Sequence, residues 1–115
     1  MKLQQLRCLT EVARRGLNVS EAAEALHTSQ PGVSKQIRAL EDELGVEVFV
    51  RHGKRLVAVT EPGKAVVAIA ERMLAEAANL RRAGEEALRL AAELSYALVY
   101  QPLVDLVVEV HVSRC

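Results

Sequence analysis

Apolar residues recur along this chain with three different periods, and each period predicts an element. Leu3, Leu6, Leu9, Val12 and Ala13 are spaced by three and four, which predicts an amphipathic helix over residues 3–15 ended by Gly16. A second, shorter helix starts at Asn18 or Ser20 as its cap, with Glu21 placed to close a capping box from Asn18. Ala22, Ala23, Ala25 and Leu26 give it a face of small residues, so another helix can cross it closely. His27-Thr28 forms a polar turn. Ser29 caps a third helix, and Pro31 falls in its first turn, where a missing N–H costs nothing. Val33, Ile37, Leu40 and Leu44 make one apolar stripe along that helix, which ends at Gly45.

The period then shortens to two. Val46 to Thr60 holds two short β-branched runs around Arg51-His52-Gly53-Lys54-Arg55, a hairpin pattern with glycine at the turn. Thr60 caps a further helix, with Glu61, Pro62 and Gly63 in its first turn. From there Val66, Ala70, Met73, Ala77, Leu80, Gly84, Ala87, Ala91 and Leu94 step alternately by four and three, as a heptad seam does. A single long helix has no core of its own, so the seam is expected to bury against a second copy. Pro102 to Val112 alternates again, with Val104, Leu106, Val108, Val110 and Val112 apolar, which predicts a lone strand.

The polar residues of the third helix carry the functional signal. Gln30, Ser34, Lys35 and Arg38 lie along its N-terminal half and polar side, and these side-chain types read base edges and hold phosphates. The acidic run Glu41-Asp42-Glu43 comes only at the far end, away from a polyanion. The stretch A-x-x-L-H-T-S-Q-P-x-V-S-K-Q-I-R-x-L-E-x-E-L-G resembles the helix-turn-helix of LysR-type transcriptional regulators. M-K-L-Q-Q-L-R and T-S-Q-P-G-V-S-K-Q are most similar to the branch of cysteine-regulon activators. The resemblance runs without a gap from Met1 to about Glu86.

The resemblance implies a winged helix-turn-helix whose recognition helix enters the major groove. Thr28, Ser29 and Arg38 would position phosphates; Gln30, Pro31, Ser34 and Lys35 would face bases. Arg51, His52 and Lys54 would form the wing tip. Gly32 stands where some members of the family carry bulkier residues. In the family the linker helix forms an antiparallel dimer contact, which places Val66, Ala70, Met73, Ala77, Leu80, Gly84 and Ala87 in a homodimer interface. Family members continue into an effector-binding portion of two α/β subdomains, which this sequence does not contain. Leu88-Arg89-Leu90-Ala91-Ala92 faintly resembles the first strand of that portion, which would end the long helix near Gly84. Residues 95–115 then read as a truncated or degenerate tail.

Composition adds bounds. The formal net charge is zero, split as +2 over residues 1–60 and −2 over residues 61–115, so any DNA contact must rest on local patches. Cys8 and Cys115 do not make a disulfide framework, and Cys8 reads as a small buried hydrophobe. The N-terminus, with Lys2, Gln4, Gln5 and Arg7, is not a signal peptide, and no apolar run approaches the length of a bilayer span. His27, His52 and His111 show no metal-ligand spacing, and no cofactor is expected. There is no nucleophile–base pair or glycine-rich phosphate loop, so an enzyme is not expected.

The sequence therefore predicts a mainly α protein: a winged helix-turn-helix over residues 1–60, a dimerisation helix over 61–94 and a short strand-like tail. The expected function is a cytoplasmic, dimeric, sequence-specific regulator of transcription, of sulfur or cysteine genes by resemblance, with RNA polymerase a further possible partner. The rival reading is an interaction protein that forms mixed dimers with a full-length relative and inhibits it.

Overall fold

The computed structural model describes residues 1–114; Cys115 lies outside the described residues. The elements follow in the order α1 (Leu3–Arg14), α2 (Val19–Ala25), α3 (Gln30–Leu44), β1 (Phe49–His52), β2 (Arg55–Val59), α4 (Glu61–Ser95), a π-helical turn (Tyr96–Tyr100) and α5 (Gln101–Arg114). They fall into two compact units, Met1–Ala77 and the residues from Ala78 onward.

The first unit has one apolar core. Leu6, Leu9 and Val12 of α1, Ala22 and Ala23 of α2, and Val33, Ile37 and Leu40 of α3 are buried together with Val48 and Phe49. Cys8 is fully buried among them, as its apolar neighbours in sequence suggest, and burial pushes its thiol pKa up. Local chemistry sets the ends of the helices. Asn18 Oδ1 accepts the Glu21 N–H at 3.0 Å, and Ser29 Oγ accepts the Gly32 N–H at 3.1 Å. The capping box proposed for α2 is only half made, because the Asn18 N–H donates to the Arg15 carbonyl instead. Gly45 ends α3 at φ 72°, a left-handed conformation that favours glycine.

β1 and β2 form a two-stranded antiparallel hairpin turned by Gly53 and Lys54, with Gly53 at φ 63°. A bulge follows Val50↔Ala58, so Arg51 pairs with Leu56 and Val57 is the extra residue. The start of α4 is fastened beneath this hairpin. Thr60 donates its N–H to the Val48 carbonyl at 2.9 Å, and its hydroxyl accepts the Gly63 N–H at 2.9 Å. Gly63 is buried against Val48.

Ala70 is only 2 % exposed and belongs to the core of the first unit, with Val66, Val67 and Leu74 packed against it. The head thus absorbs the first turns of the heptad seam, and the compact unit reaches Ala77 rather than ending at residue 60. Met73 is exposed and, with Met1, Leu6, Leu44, Val66 and Ile69, lines a shallow apolar groove.

The second unit corrects the tail. Neither Leu88–Ala92 nor Pro102–Val112 is a strand, and Gly84 does not end the helix: α4 continues to Ser95 and α5 covers Gln101–Arg114. Leu88 to Ala92 is rich in strong helix formers, and Arg89 pairs with Glu86 three residues back and with Glu93 four residues on. An unpaired strand over 102–112 would leave its amides without partners, whereas a helix satisfies them within the segment. Pro102 lacks an N–H and crowds the carbonyl four residues back. The turn before it widens to π-helical spacing, with the Gln101 N–H donating to the Tyr96 carbonyl.

The helical span Glu61–Ser113 contains an eighteen-residue window of mean hydropathy 1.2, none of it buried, with at most two Asp, Glu, Lys or Arg residues. The expectation that no such stretch exists is therefore corrected. Gln101, Asp105 and Glu109 interrupt the apolar run in sequence, but as a helix they fall on one narrow stripe and leave the other faces apolar.

Candidate nucleic-acid interface

Three turns of α3 stand clear of the protein. Gln30, Pro31, Ser34, Lys35 and Arg38 are all exposed, while Val33, Ile37 and Leu40 anchor the adjoining face of the helix in the core. Thr28 and Ser29 are exposed in the turn that leads into α3, and the Ser29 hydroxyl is already engaged as the cap. A carbon added at Gly32 would meet Ser29 Oγ at 3.0 Å and Thr28 Oγ1 at 3.1 Å, so this cap is close-fitting on the side of the missing side chain.

The hairpin stands beside α3 and makes a cleft of mixed polar and apolar lining with it. Gln30, Pro31, Ser34 and Arg38 line one wall; Arg51, Gly53 and Lys54 line the other. Lys35 lies on the outer flank of α3. Lys54 is exposed at the tip, next to exposed His52 at the end of β1. Among the described residues Lys35, Arg38 and Lys54 enter no ion pair, so their charge is available to an anion.

Arg51 is different. It sits within β1, below the tip, and its guanidinium is held by Glu41: Nη2 donates to Oε1 at 2.5 Å and Nη1 to Oε2 at 3.3 Å. Its side chain is 21 % exposed and that of Glu41 is 6 % exposed. The same carboxylate accepts the Val48 N–H at 2.7 Å and the Phe49 N–H at 3.4 Å. Burial alone would raise the Glu41 pKa. The hydrogen bond from Arg51, the Val48 N–H, the Arg51 charge and the Phe49 N–H together outweigh it and hold the carboxyl below its ordinary value.

The acidic run is therefore split by the fold. Asp42 and Glu43 are exposed, and Glu43 pairs with the N-terminal ammonium at 2.8 Å, while Glu41 is buried and neutralised. In sequence Glu41 is indistinguishable in type from its acidic neighbours. Its spacing of four from Ile37 and one from Leu40 was the available sign that it lies against the core side.

The sequence matches a known family model, described as the bacterial regulatory helix-turn-helix protein of the lysR family, over residues 3–64. The chain belongs to the LysR family. It is 57% identical over 86 residues to the transcriptional regulator SsuR of Burkholderia cenocepacia, covering 75% of this chain and 28% of that one. With the regulator cbl of Escherichia coli the identity is 60% over 82 residues, 71% of this chain and 26% of the relative. The chain thus spans about a quarter of the length of these curated relatives. Among solved structures, the CbnR DNA-binding domain in complex with DNA superposes with a TM-score of 0.69 at 34% identity. That match covers 76% of this chain and 98% of the other. The mainly helical architecture with a two-stranded wing is that of the LysR DNA-binding domains.

Proposed function

We propose that this chain is a sequence-specific reader of double-stranded DNA that regulates transcription, with α3 in the major groove and the hairpin as a wing on the flanking backbone. One observation carries the reading: the uncovered N-terminal half of α3 presents Gln30, Ser34, Lys35 and Arg38 beside the unpaired tip cation Lys54. The LysR membership and the likeness to a domain complexed with DNA support it. Gln30, Pro31, Ser34 and Lys35 face base edges; Thr28, Ser29 and Arg38 position phosphates; His52 and Lys54 form the wing contact. Likeness to SsuR and cbl supports genes of sulfur or cysteine metabolism as targets. The protein acts in the cytoplasm, where its DNA is, and no catalysis is assigned to it.

The active species is a homodimer built on α4. Val66 and Ala70 pack on their own head, so the contact rests on the continuation of the seam: exposed Met73, Leu80, Gly84 and Ala87 and half-buried Ala77, with the apolar groove beside Met73. Two heads on one dimer can then meet half-sites about 34–36 Å apart. The exposed seam equally permits mixed dimers with a longer relative, which would inhibit it. No membrane partner is proposed: Asp105 and Glu109 each cost about 2.5–3.5 kcal/mol at the centre of a spanning helix. That outweighs the Leu and Val residues of α5, at about 0.3–0.6 kcal/mol each.

The test is selection from a pool of randomised duplexes by the purified chain. Enrichment of a two-fold-symmetric sequence, lost when Lys35 is replaced by alanine, is the expected outcome. A pool that stays random contradicts the reading.

A further inference from the structure

The reading face of α3 and the wing are separate elements, and something must fix one against the other. Among the described residues, every side-chain hydrogen bond from α3 to the β1 segment and its approach comes from Glu41. It receives Val48 N–H, Phe49 N–H and both terminal nitrogens of Arg51. Its position on the helix matters as much. Eleven residues from Gln30, Glu41 returns to within about 20° of the Gln30 and Ser34 azimuth, about 16 Å farther along the axis. The stripe that is open over Gln30, Ser34 and Arg38 is therefore continuous with the stripe that the base of the hairpin covers at Glu41. Arg51, the strand residue that Glu41 grips, lines the cleft between the open stripe and the wing tip.

We infer that Glu41 is a positioning residue for DNA binding: through Arg51 and the Val48 and Phe49 amides it holds the wing in register with the reading face, so that Lys54 reaches the backbone of the duplex that α3 reads. Glu41 touches no DNA itself. Two contacts on one rigid body reinforce each other, whereas a wing free to swing loses its share. Arg51 accordingly acts through Glu41 and not as a wing-tip contact. The inference rests on the DNA-binding reading above and adds to it a specific coupling between two residues, Glu41 and Lys54, on different elements.

The experiment is a double-mutant cycle on the selected duplex, with affinity measured by fluorescence anisotropy across a salt series. In the wild-type background, Lys54→Ala should reduce the slope of log affinity against log salt by about 1.8, about 0.9 for each of the two phosphate contacts that the dimer makes through its wings. In the Glu41→Gln background the same substitution should change the slope little, because the wing no longer delivers Lys54. Gln30→Ala should cost the same factor in both backgrounds. A guanidinium released from Glu41 is present in both arms of that cycle and cancels. Should Glu41→Gln fail to give the native circular dichroism spectrum, Arg51→Gln takes its place in the cycle. The full Lys54 slope change in the clamp-broken background overturns the inference and leaves Glu41 a residue of the fold alone. Failure of the DNA-binding reading looks different: wild type binds no duplex, or Lys35→Ala and Lys54→Ala are both silent, and the inference falls with it.

Discussion

Replacing glycine by alanine should have opposite effects at two positions of the same helix, α4. At Gly63 the added carbon would lie 2.7 Å from Thr60 Oγ1 and 2.9 Å from Val48 Cα, and closer still to the Val48 carbonyl oxygen. Two of these obstacles are backbone atoms, so no side-chain rotation relieves them. The start of α4 must instead move away from Val48, and it is tied there by the Thr60 N–H and hydroxyl. Overpacking of this kind costs about 1–3 kcal/mol. Loss of the Thr60 cap adds about 1 kcal/mol, and the better helix propensity of alanine returns about 1 kcal/mol. Gly63→Ala should therefore destabilise the head by about 1–3 kcal/mol, which lowers the melting temperature by about 4–8 °C for each kcal/mol in a domain of this size. At Gly84 nothing lies within 4 Å of the same carbon. In the Leu80→Arg monomer, where no partner faces the seam, Gly84→Ala should strengthen the helix by about 1 kcal/mol, seen as slower amide exchange over residues 80–90. Thermal melts followed by circular dichroism decide the matter. A Gly63→Ala protein as stable as wild type would refute the packing of α4 under the hairpin.

Three further outcomes follow from the same contacts. Leu80→Arg should shift the dimer to monomer in sedimentation with the head still folded, whereas Ala70→Arg should unfold the head, because Ala70 is 2 % exposed and a lone charge cannot be buried there; equal folding of both variants would contradict this division of the seam. The Glu41 carboxyl is held below its ordinary value, so its contribution to stability is complete above the unfolded-state pKa and is lost as pH falls through the depressed folded value. An acid-denaturation curve for Glu41→Gln should be shallower than wild type in that window, and an identical curve would dismiss the ion pair. Cys8, buried and with its thiol pushed up, should resist thiol reagents in the native protein and react on unfolding; rapid native labelling at Cys8, followed in a Cys115→Ser protein, would show an open core.

The head was legible in sequence because its signals are local. Helical spacing marked Leu6, Leu9, Val12, Val33, Ile37 and Leu40 as core, and Asn18, Ser29 and Thr60 cap the helices that their types suggested. The exposed face of α3 followed from the same periodicity. Glu41 and Arg51 were harder, because their roles come from a contact ten residues apart that joins helix to strand. Helical spacing could not divide the α4 seam either: Ala70 has the same period as Leu80, and only the position of the head separates them. The alternation over Val104–Val112 pointed to a strand, but a strand needs a neighbouring strand, which a local pattern does not supply.

The claim that α3 reads bases is tested most directly by a loss-of-contact measurement on the selected duplex. Wild type and Gln30→Ala are each titrated against a set of duplexes carrying single base-pair substitutions, at one salt concentration. Wild type should discriminate by about 1–3 kcal/mol at each position it reads. Gln30→Ala should become indifferent to one base pair in each half-site and keep its discrimination at the rest. A discrimination profile unchanged by Gln30→Ala would contradict the placement of the N-terminal half of α3 on the base edges.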